Sequence, residues 1–242
     1  MPPGRLHGKR RADTHGMTVP ASGVAINGSA ERFAVRRIYC VGRNYAAHVR
    51  EMGGDPAREP PFFFSKPADA VVDNGGEVPY PPRTKNLHHE VELVVAIGRD
   101  GAAIAAGDAL SHVFGYAVGN DLTRRDLQSE MRSRGLPWDV AKGFDHSAPL
   151  AELHPVRQVG HPRDARIWLE VNGQLRQDAR LTDMIWSVPE ILAELSTYFA
   201  LAAGDLVFTG TPDGVGALVP GDSVRAGIDG LSTLQHRIVS GP

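Results

Sequence analysis

Residues 90–98 read EVELVVAIG, an apolar run that opens with two carboxylates. Its β-branched residues predict a buried strand. Side chains at i and i+2 of a strand share a face, so Glu90 and Glu92 stand together while Val91 and Leu93 point the opposite way. Two carboxylates this close cannot both stay ionised in a dry site unless a cation joins them. The run therefore predicts a central strand and a candidate metal site, with a solvated strand face as the alternative.

The rest of the chain indicates an α+β fold rich in strands. Further strand patterns occur at 36–42, 62–64, 113–121, 166–172, 205–210, 224–226 and 234–239, and helical patterns at 44–52, 102–110, 123–134 and 187–201. Asn172-Gly173 predicts a hairpin turn, Thr123 a helix N-cap, and the triple Phe of 62–64 a buried strand. Because strands and helices do not alternate as βαβαβ, a doubly wound parallel sheet is not expected.

Composition excludes several functional classes. The 242 residues carry 26 basic and 28 acidic side chains, a net charge of −2, which argues against binding to nucleic acid or an anionic membrane surface. No apolar run approaches the length of a membrane span. Cys40 is the single cysteine, so intramolecular disulfides and cysteine zinc sites are excluded and a reducing, cytoplasmic compartment is expected. We predict a flexible tail over 1–20 and one α+β domain over 21–242.

A third carboxylate strengthens the metal hypothesis. Asp121 ends the strand predicted at 113–121, a usual position for ligand-binding side chains, although an Asp there can also stabilise a helix N-terminus. Oxygen ligands of this kind suit hard divalent cations such as Mg²⁺. His88 and His89 are possible additional ligands, but an exposed or supporting position is the more frequent one for such histidines.

The helical pattern at 44–52 contains a possible general base. His48 and Glu51 are spaced i, i+3 and so are neighbours on a helix. A carboxylate beside an imidazole orients it and raises its basicity, as the activation of a water requires. An exposed helical His–Glu pair without function is the alternative.

Fixed hydrogen-bond donors form a third group of candidates. They are Arg125, Gln128, Lys142 and the hydroxyls and backbone N–H groups of the segment Thr209-Gly210-Thr211-Pro212. Together these groups could bind a carboxylate or a developing oxyanion, although each is weak evidence alone. The chain lacks a phosphate-binding GxxxxGK[ST] loop, a GxGxxG fingerprint and a GxSxG nucleophile elbow. Cys40 lies within a predicted apolar strand, so covalent cysteine catalysis has little support.

Six ordered blocks give the chain a resemblance to a known family. The blocks are IYCVGRNYAAHVREMG (38–53), PFFFSKPADAVV (61–72), NLHHEVELVVAIG (86–98), GYAVGNDLTRRDLQ (115–128), GLPWDVAKGFD (135–145) and LVFTGTPDGVG (206–216). In this order they resemble the fumarylacetoacetate hydrolase family, closest to its small acylpyruvate and fumarylpyruvate hydrolase branch. The resemblance covers the chain from about residue 36 onward. It implies a mixed β-sheet roll flanked by short helices, commonly assembled as a homodimer.

The resemblance also implies a role for individual residues. The implied metal ligands are Glu90, Glu92 and Asp121, the implied catalytic residues His48, Glu51 and Lys142, and the implied substrate contacts Arg43, Lys66, Arg125, Gln128 and Thr211. The implied metal is Mg²⁺, with Mn²⁺ or Ca²⁺ possible. Larger family members use a further upstream Asp ligand that has no match here, so a site of three carboxylates completed by water is expected.

The implied reaction is metal-dependent cleavage of a C–C bond in an acylpyruvate. Fumarylpyruvate, an intermediate of gentisate breakdown, is the expected substrate and would give fumarate and pyruvate. Arg125 is one basic residue that could hold its distal carboxylate. Oxaloacetate decarboxylation or tautomerisation, and 2-hydroxyhepta-2,4-diene-1,7-dioate isomerase chemistry, are the alternatives at the same metal. A non-enzymatic β-rich binding module is a further alternative.

Overall fold

The computed structural model describes residues 22–55 and 59–241, so the predicted tail over 1–20 lies outside the described residues. The strands are β1 (Gly23–Ala25), β2 (Arg32–Ala34), β3 (Arg37–Gly42), β4 (Phe62–Lys66), β5 (Val71–Asp73), β6 (Glu77–Pro79), β7 (Leu87–His89), β8 (Val91–Ile97), β9 (Val113–Asn120), β10 (Thr123–Arg124), β11 (Ala148–Leu150), β12 (His154–Pro155), β13 (Arg166–Val171), β14 (Gln174–Arg180), β15 (Asp205–Phe208), β16 (Gly216–Leu218), β17 (Ser223–Ile228) and β18 (Leu234–Val239). The α-helices are α1 (Ala46–Glu51), α2 (Arg125–Ser133), α3 (Asp139–Lys142), α4 (Val156–Val159) and α5 (Val188–Tyr198).

The strands form mixed sheets, which confirms the predicted α+β fold. The largest sheet has the order β4-β3-β15-β8-β9-β11-β5, with β12 beside β9, and a second sheet has the order β14-β13-β17-β18-β6. The pairs β3–β15, β5–β11 and β6–β18 are parallel, whereas the other pairs of these two sheets are antiparallel. Two small sheets, β1-β2 and β10-β7-β16, complete the architecture. None of the described helices is long and apolar enough to cross a membrane.

Strand β8 is buried on both faces and organises the core. Leu93 and Val95 belong to a hydrophobic cluster shared with the second sheet, whereas Val94 and Ala96 belong to a cluster against β3 and β15. Glu92 shares the face of Val94 and Ala96, because side chains alternate along a strand. The same face of β8 is therefore hydrophobic core along most of its length and carries a carboxylate at its start.

Local predictions from the sequence succeed where short-range signals dominate. The hairpin at Asn172-Gly173 is confirmed, with both residues at positive φ (52° and 75°), as a type I′ turn requires. The helix predicted over 187–201 is confirmed as α5, which begins with a capping box between Ser187 and Glu190.

Three local predictions are wrong or incomplete. Residues 102–110 do not form the predicted helix, because the backbone N–H of Ala103 instead donates to a carbonyl of α5, and only a 3₁₀ turn follows at Ala109–His112. Thr123 is not an N-cap, because it belongs to β10 and its hydroxyl donates to the Asp121 carbonyl. The triple Phe forms β4 as predicted, but β4 is an edge strand and Phe62 is 37% exposed.

Candidate active site

A cleft opens at the start of β8, beside the carboxylates of Glu90 and Glu92. Nine of the eleven residues predicted for the site line it: Arg43, His48, Glu90, Glu92, Asp121, Arg125, Gln128, Lys142 and Thr211. The other two lie directly behind this lining. Glu51 contacts His48, and Lys66 contacts Asp121. The structure thus brings together residues from the ends of five different elements and the loops between them.

The three predicted metal ligands form one buried cluster. Glu90, Glu92 and Asp121 are 4%, 1% and 1% exposed, and one carboxylate oxygen from each lies within 4.8 Å of the others. The backbone brings Asp121 to this position, because its N–H donates to the Glu90 carbonyl (2.8 Å) and continues the β8–β9 ladder. Oxygens on opposite sides of a divalent ion are about 4.0–5.2 Å apart for Mg²⁺ to Ca²⁺ bond lengths. The spacing therefore fits a shared divalent cation.

Two of these carboxylates already have cationic partners. Lys142 Nζ lies 2.7 Å from Glu90 Oε2 and 2.6 Å from Asp121 Oδ2, and Arg125 Nη2 pairs with Glu90 Oε1. Lys66 Nζ lies 2.8 Å from Asp121 Oδ1. Burial alone would raise the pKa of Glu90, but the charges of Lys142 and Arg125 hold it well below its ordinary value. Glu90 and Asp121 are thus both held in buried ion pairs.

Glu92 differs from the other two carboxylates. It accepts a hydrogen bond from the Gly210 N–H (2.7 Å) but forms no ion pair with any residue in the described part of the chain. Burial, followed by the charges of Asp121 and Glu90, raises the pKa of Glu92 well above its usual range. Ionising a buried acid that has no cationic partner and lies beside two paired carboxylates is unfavourable. A divalent cation bound there would offset that cost. The donor set therefore fits a hard metal ion.

The His48–Glu51 dyad faces this cluster from α1. His48 is 7% exposed, and its Nδ1 lies 3.1 Å from Glu51 Oε2. Burial alone would raise the pKa of Glu51, but hydrogen bonds from His48 and from the Gly214 N–H (3.0 Å) hold it below its usual value. Because the Glu51 carboxylate can only accept, His48 Nδ1 must carry the hydrogen. The remaining nitrogen, Nε2, is then the basic one.

The strand ends that carry the site are clamped to each other. Gly210 follows β15 with φ of 96°, and a Cβ there would lie 2.6 Å from the Asn44 Cβ, so the position requires glycine. Asn44 is buried and donates from Nδ2 to the carbonyls of Thr209 (2.7 Å) and Trp186 (2.9 Å). The loop after β3 is thereby held against the loop after β15, and the Gly210 N–H is aimed at Glu92.

Gln177 holds a further part of the cleft although it does not line it. Its Oε1 accepts from the Val91 N–H (3.1 Å) and from His89 Nδ1 (3.0 Å), and its Nε2 donates to Thr211 Oγ1 and the Pro212 carbonyl (both 2.8 Å). The backbone donor at Val91 fixes which amide atom is the oxygen. Since Thr211 Oγ1 accepts this hydrogen bond, its own hydroxyl hydrogen is free to be donated into the cleft.

We expect Gln177→Ala to lower the free energy of unfolding by about 3 kcal/mol, because it leaves four buried polar partners without a hydrogen bond. Urea denaturation measures this change. Gln174→Ala is the matched control, since Gln174 lies exposed on the same strand and its side chain accepts a hydrogen bond from the exposed Arg176. Equal losses for the two variants would contradict the role given to Gln177.

Several residues of the cleft were missed by the sequence analysis. Arg132 and Ser129 line it from α2. Their spacing from Arg125 (i+7 and i+4) places them on the same helix face, so this pattern could have predicted them. Trp138 also lines it, and Gln177 had no local signal because its partners lie on distant loops. The two histidines considered as ligands lie outside the carboxylate cluster. Nδ1 of His89 hydrogen-bonds Gln177, and His88 Nε2 hydrogen-bonds Asn86.

Comparison with known proteins agrees with this geometry. The family model described as "Fumarylacetoacetate (FAA) hydrolase C-terminal" matches residues 37–239. The mitochondrial oxaloacetate tautomerase of Rattus norvegicus is 44% identical over 203 residues, which cover 84% of this chain and 91% of the relative. The fumarylpyruvate hydrolase of a Ralstonia species is 44% identical over 180 residues, which cover 74% of this chain and 93% of the relative.

A solved structure is more similar still. The fumarylpyruvate hydrolase from Pseudomonas aeruginosa, crystallised with Mn²⁺ and pyruvate, is 54% identical, with a TM-score of 0.90. The match covers 93% of this chain and 99% of that one. A family model that spans the two large sheets and the whole cleft, together with relatives this similar over most of their length, establishes that the chain belongs to the fumarylacetoacetate hydrolase family.

Proposed function

We propose that this protein is a metal-dependent hydrolase that cleaves the C–C bond of an acylpyruvate, with fumarylpyruvate as its substrate and fumarate and pyruvate as products. One observation carries the proposal: a buried carboxylate cluster and an oriented His–Glu dyad line or support the same cleft. The cluster suits the 2-oxo acid end of the substrate, and the dyad supplies the base that hydrolysis needs. The similar Pseudomonas aeruginosa structure, with Mn²⁺ and pyruvate, supports the same assignment.

We propose Glu90, Glu92 and Asp121 as the metal ligands. A divalent ion bound there supplies Lewis-acid stabilisation of negative charge on the 2-oxo acid. Lys142 and Lys66 balance the charge of Glu90 and Asp121, and their ammonium groups stay buried with these carboxylates. The protein thus prepares a carboxylate pocket in which two of the three acids are already paired with cations before a metal or substrate binds.

The dyad and two oriented donors then act on the acyl group. His48 Nε2 accepts a proton from a water, the water oxygen attacks the C4 carbonyl, and Glu51 holds the resulting imidazolium in place. The oxygen that develops negative charge at C4 needs donors. Gln128 supplies one, because Arg125 occupies its Oε1 and leaves its Nε2 hydrogens for the cleft. Thr211 supplies another, since Gln177 occupies a lone pair of its hydroxyl. When the tetrahedral oxyanion reforms a carbonyl to give fumarate, the C3–C4 bond breaks with its electron pair on C3, and C3 takes the proton held by His48 to give pyruvate.

The test is pyruvate release from fumarylpyruvate, followed with excess Mg²⁺ or Mn²⁺ and with EDTA. We expect release that depends on the metal and stops with EDTA. Metal-loaded, folded protein that releases no pyruvate would contradict the proposal. Oxaloacetate tautomerisation is then the next reaction to assay, because the Rattus norvegicus relative carries that name and the reaction needs no activated water.

Four finer features belong to the same proposal. We propose Mg²⁺ as the working metal, with Mn²⁺ as an effective replacement, because the ligands are all oxygens. We propose a single catalytic domain over residues 21–242, a homodimer, and a cytoplasmic location. The domain is supported by the match over 37–239. The dimer and the location rest on the resemblance and on the lone buried thiol of Cys40.

A further inference from the structure

The cleft continues outward into a second chamber. Its walls include Phe62 and Trp186, and none of the three clustered carboxylates lines it. Arg43, Arg132 and Trp138 line both spaces, so they mark the passage between them. Two acids, Asp55 and Glu59, line the outer chamber but not the inner cleft. The passage itself therefore presents two guanidinium groups.

Arg125 is not available for a second substrate carboxylate. Its Nη2 pairs with Glu90 Oε1 and its Nη1 with Gln128 Oε1. These contacts bind the guanidinium to the carboxylate cluster and leave it 6% exposed. Arg125 was one candidate to bind the distal carboxylate of fumarylpyruvate, and that carboxylate therefore needs a different partner.

The backbone at Arg43 is held in an unusual conformation. Its φ is 60°, in the left-handed region that residues other than glycine seldom adopt. The next residue, Asn44, is locked by hydrogen bonds to Trp186 and Thr209, so the surroundings impose this conformation. Phe62 supports the guanidinium, whose central carbon lies 5.7 Å from the ring centroid. The Arg43 side chain held in this way lines both the cleft and the second chamber.

Arg132 lies on the cleft face of α2. Arg125, Gln128 and Arg132 are spaced i, i+3 and i+7, so they share one face of the helix. Seven residues correspond to about 10 Å along the axis. Helix α2 thus places one arginine at the carboxylate cluster and another two turns farther out. Neither Arg132 nor Arg43 forms an ion pair with any residue in 22–55 or 59–241.

We infer that Arg43 and Arg132 form a receptor for a carboxylate at the far end of the acyl group. The inference rests on the proposed function and names its substrate class: acylpyruvates that end in a second carboxylate several bonds beyond C4. Guanidinium groups recognise carboxylates by paired, charge-assisted hydrogen bonds. Oxaloacetate has only four carbons, so its second carboxylate stays beside the 2-oxo acid end, whereas the distal carboxylate of fumarylpyruvate lies three carbons beyond C4, toward the outer end of the cleft. The receptor therefore favours the longer dicarboxylates.

The test compares fumarylpyruvate with acetylpyruvate, which lacks the distal carboxylate. We expect Arg132→Gln to lower the ratio of kcat/KM for fumarylpyruvate to that for acetylpyruvate by about 10- to 100-fold, the value of one or two charge-assisted hydrogen bonds. Arg43→Gln should lower the ratio in the same direction. Arg134→Gln is the matched control, because Arg134 is exposed just beyond α2 and pairs with Glu130, away from the cleft.

The outcomes are distinct. A ratio that stays at the wild-type value in both Arg132→Gln and Arg43→Gln, or that falls equally in Arg134→Gln, overturns the receptor. Wild-type protein that hydrolyses neither substrate overturns the proposed function instead. Wild-type protein that hydrolyses acetylpyruvate as efficiently as fumarylpyruvate supports the hydrolase but overturns the receptor. Both arginines are exposed, so their variants should fold, and a thermal melt of each verifies this.

Discussion

Replacing His48 with glutamine is expected to lower kcat for fumarylpyruvate hydrolysis by about a thousandfold, because the reaction loses its general base. The imidazole is the basic side chain oriented by Glu51, and a glutamine amide cannot accept the proton at neutral pH. KM should change far less than kcat, since the carboxylates that hold the 2-oxo acid stay in place. Steady-state kinetics with saturating Mn²⁺ measure both constants.

Two further variants make the result specific. Glu51→Gln should lower kcat by a smaller factor, about 10- to 100-fold, because the imidazole remains but loses its orienting anion. His146→Asn is the matched control, since His146 is exposed and outside the cleft. Binding of Mn²⁺ to His48→Gln, measured by calorimetry, should match the wild type. A His48→Gln enzyme with wild-type kcat would remove His48 from the mechanism.

Local structure and the proximity of Glu90 to Glu92 could be predicted from the sequence. The run at 90–98 predicts β8 and places Glu90 and Glu92 together, because strand periodicity is a local property. The spacing of His48 and Glu51 predicts their contact for the same reason, and the structure contains it. Predictions failed where distant contacts decide. The segment at 102–110 pairs with α5 instead of forming its own helix.

The support of the site could not be predicted from local pattern. Gln177 lies on a strand whose neighbouring side chains are exposed, and only the folded arrangement brings it to Thr211 and His89. Lys66 ends an edge strand, yet its ammonium is buried against Asp121. The positions of such residues depend on contacts between segments far apart in the sequence. Hydrophobic periodicity and helical spacing are local patterns and carry no information about these contacts. The resemblance named Lys66, but its contact with Asp121 is visible only in three dimensions.

In the absence of metal, replacing Glu90 with glutamine should destabilise the protein, whereas the same replacement of Glu92 should not. The pKa of Glu90 is lowered from 4.5, so its ionised form contributes stability above that pH and loses it as the pH falls. The pKa of Glu92 is raised from the same value, so stability falls as the pH rises through the window between 4.5 and the raised pKa. In EDTA at neutral pH, Glu90→Gln should lower the free energy of unfolding by about 3 kcal/mol, because Lys142 and Arg125 lose a buried anion.

Glu92→Gln should instead leave the unfolding free energy in EDTA unchanged or raise it by about 1 kcal/mol, since a neutral amide replaces a buried acid without a cationic partner. The same variant should weaken Mn²⁺ binding by at least about 100-fold, because it removes a charged ligand. Urea denaturation in EDTA and Mn²⁺ calorimetry give the two measurements. A Glu92→Gln protein as unstable as Glu90→Gln, or one with wild-type Mn²⁺ affinity, would show that Glu92 serves the fold and not the metal. Stability gained at the expense of metal affinity is the signature of a carboxylate kept for binding, because folding alone does not select a buried acid without a counter-charge.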